Sequence, residues 1–248
     1  MPRSQAGLGG EVVPGWRAVR ELLVAKRRRV KKLLIDRNRE KPDEEVLELA
    51  REAGVRREFV EEARIAREAH IETHQGVVAL AGPVPSVSLD GLLAKPQVFL
   101  VAVDGVTDPQ NLGAILRTAE VAGATGAILP RHRSASLAPA AVKAAAGAVE
   151  HLPIALVGGI PGALEQTGRA GVWSVGLDAG GTTPVSELTV ADAPVVLVLG
   201  AEGRGLSRLA RERCDVIASI PMHGHLDSLN VAAAAAVACF EVAARRHL

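Results

Sequence analysis

The chain has 248 residues, 48% apolar and 2% aromatic, with a formal net charge of +1. So few rings argue against RNA binding by rows of exposed aromatics, and two cysteines cannot form a disulfide framework or a cysteine metal site and are expected to stay reduced. No apolar stretch has membrane-spanning length and the amino terminus lacks a signal-peptide core, so we expect a cytoplasmic protein without membrane contact.

The amino-terminal part is predicted to be a small α/β domain over residues 11–82, after a disordered lead-in over 1–10. Helical patterns at 15–25, 42–53 and 59–69 alternate with extended patterns at 30–36 and 77–81. Residues 1–75 hold 17 Lys or Arg against 14 Asp or Glu, whereas the remainder holds 12 against 14. An acidic partner such as RNA is therefore expected to contact this part first.

One short run concentrates the positive charge of this part. Six cations occupy the seven positions from 26 to 32: Lys26, Arg27, Arg28, Arg29, Lys31 and Lys32. A solvated surface and a phosphate-contact patch explain this run equally well. The polar stretch 74–77 is likewise either a turn or an RNA contact.

Residues 83–96 are punctuated by proline and serine and are predicted to be a linker. A second domain then follows over 97–248, in which continuous apolar strands alternate with helices, indicating a parallel sheet covered on both faces. The strands are predicted at 98–103, 126–129, 172–176 and 195–199, and the helices at 111–122, 139–147, 162–166 and 228–246.

Three polar segments, 104–118, 199–207 and 220–231, each follow an apolar run, at the edge of a parallel sheet where ligands bind. The glycines of the second segment match neither the dinucleotide fingerprint nor a P-loop, and a tight turn explains them. A turn does not explain the two charges among them, Glu202 and Arg204.

The other two segments also carry unexpected polar residues. Asn111 and Arg117 lie on one predicted helix, and Arg117 stands among small and apolar neighbours, although an isolated helix arginine is usually just solvated. In the third segment Asp227 or Ser228 is expected to cap the last helix. His223 and His225 lack a third ligand at suitable spacing, so we predict no metal site.

The order and spacing of these three segments resemble the motifs of the SpoU-type RNA ribose methyltransferases, a branch of the SPOUT superfamily. The likeness extends from residue 97 to the end. Residues 13–15 and 74–77 resemble the L30e-like substrate-binding domain that precedes the catalytic domain in the 23S rRNA guanosine 2′-O-methyltransferases. Ala232 and Phe240 differ from the residues that the family most often has at these positions, and neither is one of the polar residues of the three segments.

This resemblance implies an α/β trefoil-knot domain that binds S-adenosylmethionine, dimerises with a second copy and methylates a guanosine ribose of 23S rRNA. It implies cofactor contacts at Gly200, Ile220, Met222 and Leu229. The implied catalytic set is Asn111, Arg117, Glu202, Ser228 and Asn230. Because guanidinium groups stay protonated, we expect Arg117 to grip a phosphate or the developing alkoxide rather than act as a base.

Three alternatives stay open beside this interpretation: methylation of tRNA, methylation of an rRNA site that confers antibiotic resistance, and a non-catalytic RNA-binding assembly factor. Retention of the whole polar set argues against the assembly factor, and a front domain argues against the minimal tRNA enzymes. A nicotinamide dehydrogenase is disfavoured because the first strand of the second domain lacks the glycine fingerprint.

Overall fold

A computed structural model describes residues 8–132 and 136–246. The strands are β1 (Val12–Pro14), β2 (Val30–Asp36), β3 (Arg56–Val60), β4 (Val77–Ala81), β5 (Ser86–Val87), β6 (Phe99–Asp104), β7 (Gly126–Pro130), β8 (Ile154–Val157), β9 (Trp173–Leu177), β10 (Thr183–Pro184), β11 (Val195–Gly200) and β12 (Val216–Ser219). The helices are α1 (Trp16–Ala25), α2 (Glu44–Glu52), α3 (Glu62–Ala69), α4 (Leu89–Leu93), α5 (Pro109–Val121), α6 (Pro139–Ala145), α7 (Ile160–Arg169), α8 (Arg208–Glu212) and α9 (Val231–Arg246). Single 3-10 turns occupy Ala148–Glu150 and Val185–Glu187.

The first sheet has the order β1-β4-β2-β3, with only the β2–β3 pair parallel. Strand β2 is apolar on both faces because it is covered on both. Leu33 and Ile35 belong to the main core with residues of α1 and α2, whereas Leu34 packs with Ile65 of α3. Side chains alternate across a strand, so one run of three apolar residues serves two helical layers.

The second sheet has the order β10-β12-β9-β11-β6-β7-β8-β5, and all of its pairs are parallel. Alternate residues of β6 enter two separate cores: Val101 and Val103 face α5 and α9, whereas Leu100 and Ala102 face α7 and α8. The predicted parallel sheet with helices on both faces is confirmed.

The carboxyl ends of the central strands are level with one another. Gly200 at the end of β11 pairs with Asp104 of β6, and Leu199 pairs with Leu177 at the end of β9. Each strand is followed by a polar segment that was noted in the sequence or by the loop 178–182. These segments therefore meet at one edge of the sheet.

A buried ion pair joins the two sheets. The guanidinium of Arg28 contacts both carboxylate oxygens of Glu150, at 3.0 and 2.5 Å, and also donates to the carbonyls of Gly10 and Gly82. The Arg28 and Glu150 side chains are only 3% and 2% exposed. One arginine thus ties the start of the described chain and the end of β4 to the second sheet.

Several predicted boundaries are wrong by a few residues, and the structure also contains strands that were not predicted, such as β8. Phe59 and Val60 were predicted to begin a helix, but they are the last residues of strand β3. The spacing of apolar residues does not show where a short edge strand ends and the following helix begins. The last helix begins at Val231 instead of residue 228. The segment 83–96 contains β5 and α4, and Val87 pairs with Ala155 of the second sheet.

The predicted disordered lead-in covers residues 1–10, of which 1–7 lie outside the described residues. Leu8 is buried, and Gly9 forms a bridge with Leu137. Within residues 8–132 and 136–246, the helices are too short or too polar to cross a bilayer.

Candidate active site

A pocket of about 720 Å³ opens at the carboxyl edge of the second sheet. Its walls are the loops after β9, β11 and β12 and the first turn of α9. All four residues that the resemblance implied as cofactor contacts line it: Gly200, Ile220, Met222 and Leu229. So do three of the implied catalytic residues: Glu202, Ser228 and Asn230.

The turn after β11 explains the glycines of the second segment. Ala201 and Gly205 exchange two backbone hydrogen bonds of 2.9 and 2.8 Å, so the chain reverses within a few residues. Gly203 and Gly205 have φ of +74° and +66°, which favours glycine. A Cβ at Gly200 would lie 2.1 Å from the carbonyl carbon of Gly205. The turn therefore presents backbone groups and the Glu202 side chain to the pocket.

Three side chains from different segments form one hydrogen-bonded network. Asn111, at the start of α5, donates from Nδ2 to Oε2 of Glu202 over 3.0 Å. Asn230 donates from Nδ2 to Oδ1 of Asn111, also over 3.0 Å. Asn111 is 8% exposed and central to both contacts. The three polar motifs are thus joined in space by the residues that the resemblance assigned to catalysis.

Helix α5 starts at Pro109, two residues before the predicted start at residue 111. The Asp108 carboxylate accepts from the amides of Gln110 and Asn111, and Pro109 fills the first helical position. This cap fixes the backbone of Asn111 before its side chain is used. Asn111 can therefore hold Glu202 with little further loss of freedom.

Asn230, rather than Asp227 or Ser228, caps α9. Its Oδ1 accepts from the amide of Ala232 over 2.9 Å, while Ser228 donates to the neighbouring carboxylate of Asp227 over 3.2 Å. The predicted cap was wrong because Ser228 lies three residues before the first helical residue, too early to reach its free amides. Asn230 uses its oxygen for the helix and its amide nitrogen for Asn111.

Arg117 is separate from this network. It is exposed, does not line the pocket and has no hydrogen bond or ion pair with any residue in the described ranges. Six residues along a helix correspond to a rotation of about 240° and a rise of about 9 Å. Because Asn111 points at Glu202, Arg117 faces elsewhere. One copy of the chain therefore does not bring the whole implied catalytic set together.

The pocket lining carries three carboxylates, Asp178, Glu202 and Asp227, against one guanidinium, Arg204. Burial tends to raise the pKa of Asp178, but the hydrogen bond from Arg211 and the Gly180 amide outweigh it and hold that pKa below its ordinary value. The Asp178–Arg211 ion pair measures 2.6 Å. The pocket is therefore suited to a ligand that carries positive charge.

The loop after β9 was missed by the sequence analysis, although Leu177, Asp178 and Ala179 line the pocket. A signal was present, because polar and glycine residues follow a predicted apolar strand there, as they do in the three segments that were noted. A Cβ at Gly181 would lie 2.5 Å from the carbonyl carbon of Ala218, so this loop runs against β12.

The basic run is divided by the structure. Arg28 is buried against Glu150, so it is not available to a phosphate, and Lys32 pairs with Glu58 at 3.5 Å. Lys26, Arg27, Arg29 and Lys31 are exposed, although Arg27 also donates to the Glu150 carbonyl. Because Glu150 lies just before β8, this run faces the amino edge of the second sheet, opposite the pocket.

The two cysteines are not suited to nucleophilic catalysis. Burial raises the pKa of the Cys214 and Cys239 thiols to about 12, so neither is a nucleophile at neutral pH. In the described part of the chain, no three His, Cys, Asp or Glu side chains are grouped to hold a metal ion.

Comparison with known families now assigns this architecture. Residues 98–240 match the model of the SpoU rRNA Methylase family, and residues 12–87 match the model described as RNA 2′-O ribose methyltransferase substrate binding. The chain belongs to the SpoU methylase family. The SpoU match covers the second sheet and its pocket, and the substrate-binding match covers the first sheet.

Two relatives are similar to nearly the whole chain, and a third is similar to a shorter part of it. The 23S rRNA (guanosine-2′-O-)-methyltransferase RlmB of Pseudomonas putida is 38% identical over 96% of this chain and 98% of its own. The SpoU methyltransferase AviRb of Streptomyces viridochromogenes, solved with AdoMet, is 27% identical to this chain, with a TM-score of 0.79. The match covers 95% of this chain and 90% of the AviRb chain. A third solved structure, described as giving insights into the 2-OH methylation of C/U34 on tRNA, is 28% identical, with a TM-score of 0.54. The match covers 62% of this chain and 98% of that chain.

These matches confirm the predicted trefoil-knot α/β class, the RNA methyltransferase activity and the use of S-adenosylmethionine. The residues that line the pocket also fit S-adenosylmethionine by their chemistry. Its carboxylates suit a sulfonium and an ammonium group, Ile220 and Leu229 offer apolar surface to an adenine, and the turn closed at Gly200 presents backbone groups that can bind polar edges.

Replacing Gly200 with alanine tests this pocket directly. The added Cβ would collide with backbone at Gly205, which cannot move without opening the turn, so we expect S-adenosylmethionine affinity to fall by at least about tenfold. Isothermal calorimetry on the folded variant measures it. Gly224→Ala is the control, because nothing lies within 4 Å of a Cβ there. Wild-type affinity in Gly200→Ala would remove the turn from the cofactor site.

Proposed function

We propose that this chain transfers a methyl group from S-adenosylmethionine to the ribose 2′-hydroxyl of a guanosine in 23S rRNA. The main support is the network of Asn111, Glu202 and Asn230 at the mouth of the pocket, in a chain similar to RlmB from end to end. The tRNA-related structure matches only 62% of this chain, which favours rRNA over tRNA.

The chemistry needs an ordered hydroxyl and an environment that accepts its proton. When bound, S-adenosylmethionine supplies an electrophilic methyl group. We assign Asn111 and Asn230 to fixing the Glu202 carboxylate, and Glu202 and Ser228 to orienting ribose and cofactor by hydrogen bonds. Arg117 would stabilise the developing alkoxide or the adjacent phosphate while its guanidinium stays protonated, and the hydroxyl proton would pass to that phosphate or to water.

We also propose that the active unit is a homodimer in which Arg117 serves the pocket of the other copy. Helix α9 exposes an apolar stripe at Ala233, Val237, Phe240 and Ala244, spaced by helical turns. Helix α5, which packs beside it, exposes Val121 one turn after Arg117, and this valine is 62% exposed. If a symmetric interface buries these apolar residues, Arg117 of each copy would lie next to the pocket of the other copy.

RNA binding by the exposed part of the basic run is a further part of the proposal. Replacing Lys26, Arg27, Arg29 and Lys31 with glutamine is expected to weaken RNA binding and to lower the slope of log K against log salt by about 0.7–0.9 for each lost phosphate contact. Filter binding over a salt series measures this. An unchanged slope would mark the run as solvated surface.

The division into a lead-in (1–10), a substrate-binding domain (11–82), a linker (83–96) and a catalytic domain (97–248) remains our proposal, with the cytoplasm as the place of action. The family-model boundaries at 12–87 and 98–240 support it.

The deciding experiment is transfer of labelled methyl from S-adenosylmethionine to unmodified 23S rRNA and, in parallel, to unmodified tRNA, followed by mapping of the 2′-O-methyl positions. We expect label at one guanosine of 23S rRNA. Label in tRNA alone would contradict the proposed substrate. Tight RNA binding with no label in either would favour the assembly-factor alternative.

A further inference from the structure

A second cationic surface lies where the two domains meet, and only Gln75, in the stretch 74–77, was noted in the sequence as a possible RNA contact. It consists of Arg39, Gln75 and Lys143, which we call the junction surface. Gln75 Oε1 and Lys143 Cε lie 2.8 and 4.0 Å from the point that a Cβ of residue 15 would occupy. Arg39 Nη1 lies 3.6 Å from the corresponding point at Gly76. Residues far apart in sequence thus share one small area.

The charge of Lys143 on α6 is unpaired within the described part of the chain. Within residues 8–132 and 136–246, neither an ion pair nor a hydrogen bond engages its ammonium. Burial lowers the pKa of Lys143, and no carboxylate acts against that effect. A partly buried ammonium without an anion is costly, so the site favours a negatively charged partner.

The loop that faces Lys143 holds its polar groups outward at some backbone cost. Gln75 has a φ of +59°, a conformation that side chains other than glycine rarely adopt. The turn around it is fixed by His74, whose Nδ1 accepts from the Gly76 amide over 3.1 Å, and by Trp16, whose Nε1 donates to the Gln75 carbonyl over 2.9 Å. The Gln75 side chain stays exposed and has no partner in the described ranges.

Arg39 completes the surface. Its guanidinium stacks over the Trp16 ring, 5.6 Å from the centroid, and its Nε donates to the Lys41 carbonyl over 3.2 Å. The outer nitrogens stay available. Asp36 is also close to Gly76, but it accepts from the Asn38 amide. Two cations and an amide are therefore presented together, and a phosphodiester backbone can pair with all three.

The junction surface is close to the catalytic network, unlike the basic run. Helix α6 lies directly against α5: a Cβ at Gly113 would lie 2.3 Å from the Ala141 carbonyl oxygen and 2.6 Å from Cβ of Ala144. Gly113 is two residues from Asn111, and Ala144 is next to Lys143. The surface is therefore about one helix width, or 10 Å, from the helix that carries Asn111.

We propose that the junction surface binds the phosphate backbone of the RNA substrate next to the nucleotide that is methylated, with Lys143 as the central contact. The inference rests on the proposed RNA methylation. It assigns the substrate path to the seam between the domains, on the pocket side of the molecule.

The test compares Lys143→Gln, which removes the charge, with Lys143→Arg, which keeps it, in the full chain. The control is Arg169→Gln, which removes one exposed charge at the end of α7, on the opposite face of the second sheet. Binding of in vitro transcribed 23S rRNA is measured over a salt series, together with KM and kcat for methyl transfer and calorimetric binding of S-adenosylmethionine.

We expect Lys143→Gln to weaken RNA binding about five- to tenfold and to raise KM more than it lowers kcat. The slope of log K against log salt should fall by the amount that corresponds to about one phosphate contact. Lys143→Arg and the control should stay close to wild type, and cofactor binding should not change. Unchanged affinity and slope in Lys143→Gln would overturn the proposal, as would weaker binding at an unchanged slope. Because RNA binding is measured without turnover, a chain that methylates neither RNA can still pass or fail this test.

Discussion

Replacing Arg117 with alanine is expected to lower methyl transfer by about 10²- to 10³-fold while S-adenosylmethionine binds as in the wild type. The reason is geometric, since Arg117 is exposed, lies outside the pocket and makes no hydrogen bond or ion pair with the residues that line it. Its removal should cost transition-state stabilisation alone. Single-turnover methylation and calorimetry separate the two effects, and equal loss of both in a folded variant would contradict this role.

The dimer proposal sharpens this experiment. Neither Arg117→Ala nor Glu202→Ala should be active alone, but a mixture should form heterodimers that have one intact pocket facing one intact arginine. We expect such a mixture to recover roughly a quarter of wild-type activity if subunits exchange at random. If Arg117 acts within its own chain, the mixture stays as inactive as its parts. Sedimentation of the wild type checks that dimers form.

Breaking the Arg28–Glu150 pair is expected to be the most destabilising single change in charge. Both side chains are almost fully buried, so Arg28→Met leaves the Glu150 carboxylate without its guanidinium. We expect a loss of about 3–5 kcal/mol in the free energy of unfolding, measured by urea denaturation. The double variant Arg28→Met with Glu150→Leu should be less destabilised than either single variant, because no buried charge is left unpaired.

The matched control is the exposed Arg208–Glu212 pair, whose side chains are 77% and 52% exposed. Arg208→Met should change the free energy of unfolding by less than about 0.5 kcal/mol. Similar losses in Arg28→Met and Arg208→Met would mean that burial does not govern the first pair.

The site could be predicted in part from sequence because its residues are tied to local signals. Asn111 follows a helix cap, Glu202 is a charge that the surrounding glycine turn does not explain, and Gly200 ends an apolar strand. Two kinds of information stayed hidden. Whether Asn230 or Ser228 caps α9 depends on where the helix starts, which pattern alone fixes only to a few residues. The contribution of the 177–179 loop depends on β9 lying beside β11.

Apolar periodicity and turn chemistry along the chain specify the alternation of strands and helices, the parallel sheet and the three segments that lie at its carboxyl edge. The use of each charge, in contrast, became visible in the folded chain alone. Arg28, in a run that resembled a phosphate patch, is paired with a buried carboxylate 122 positions away. Lys143, which no pattern singled out, has no ion pair within residues 8–132 and 136–246 and lies on the helix that packs against α5. A charge acquires its role from its burial and its neighbours, and both are set by contacts between distant parts of the chain.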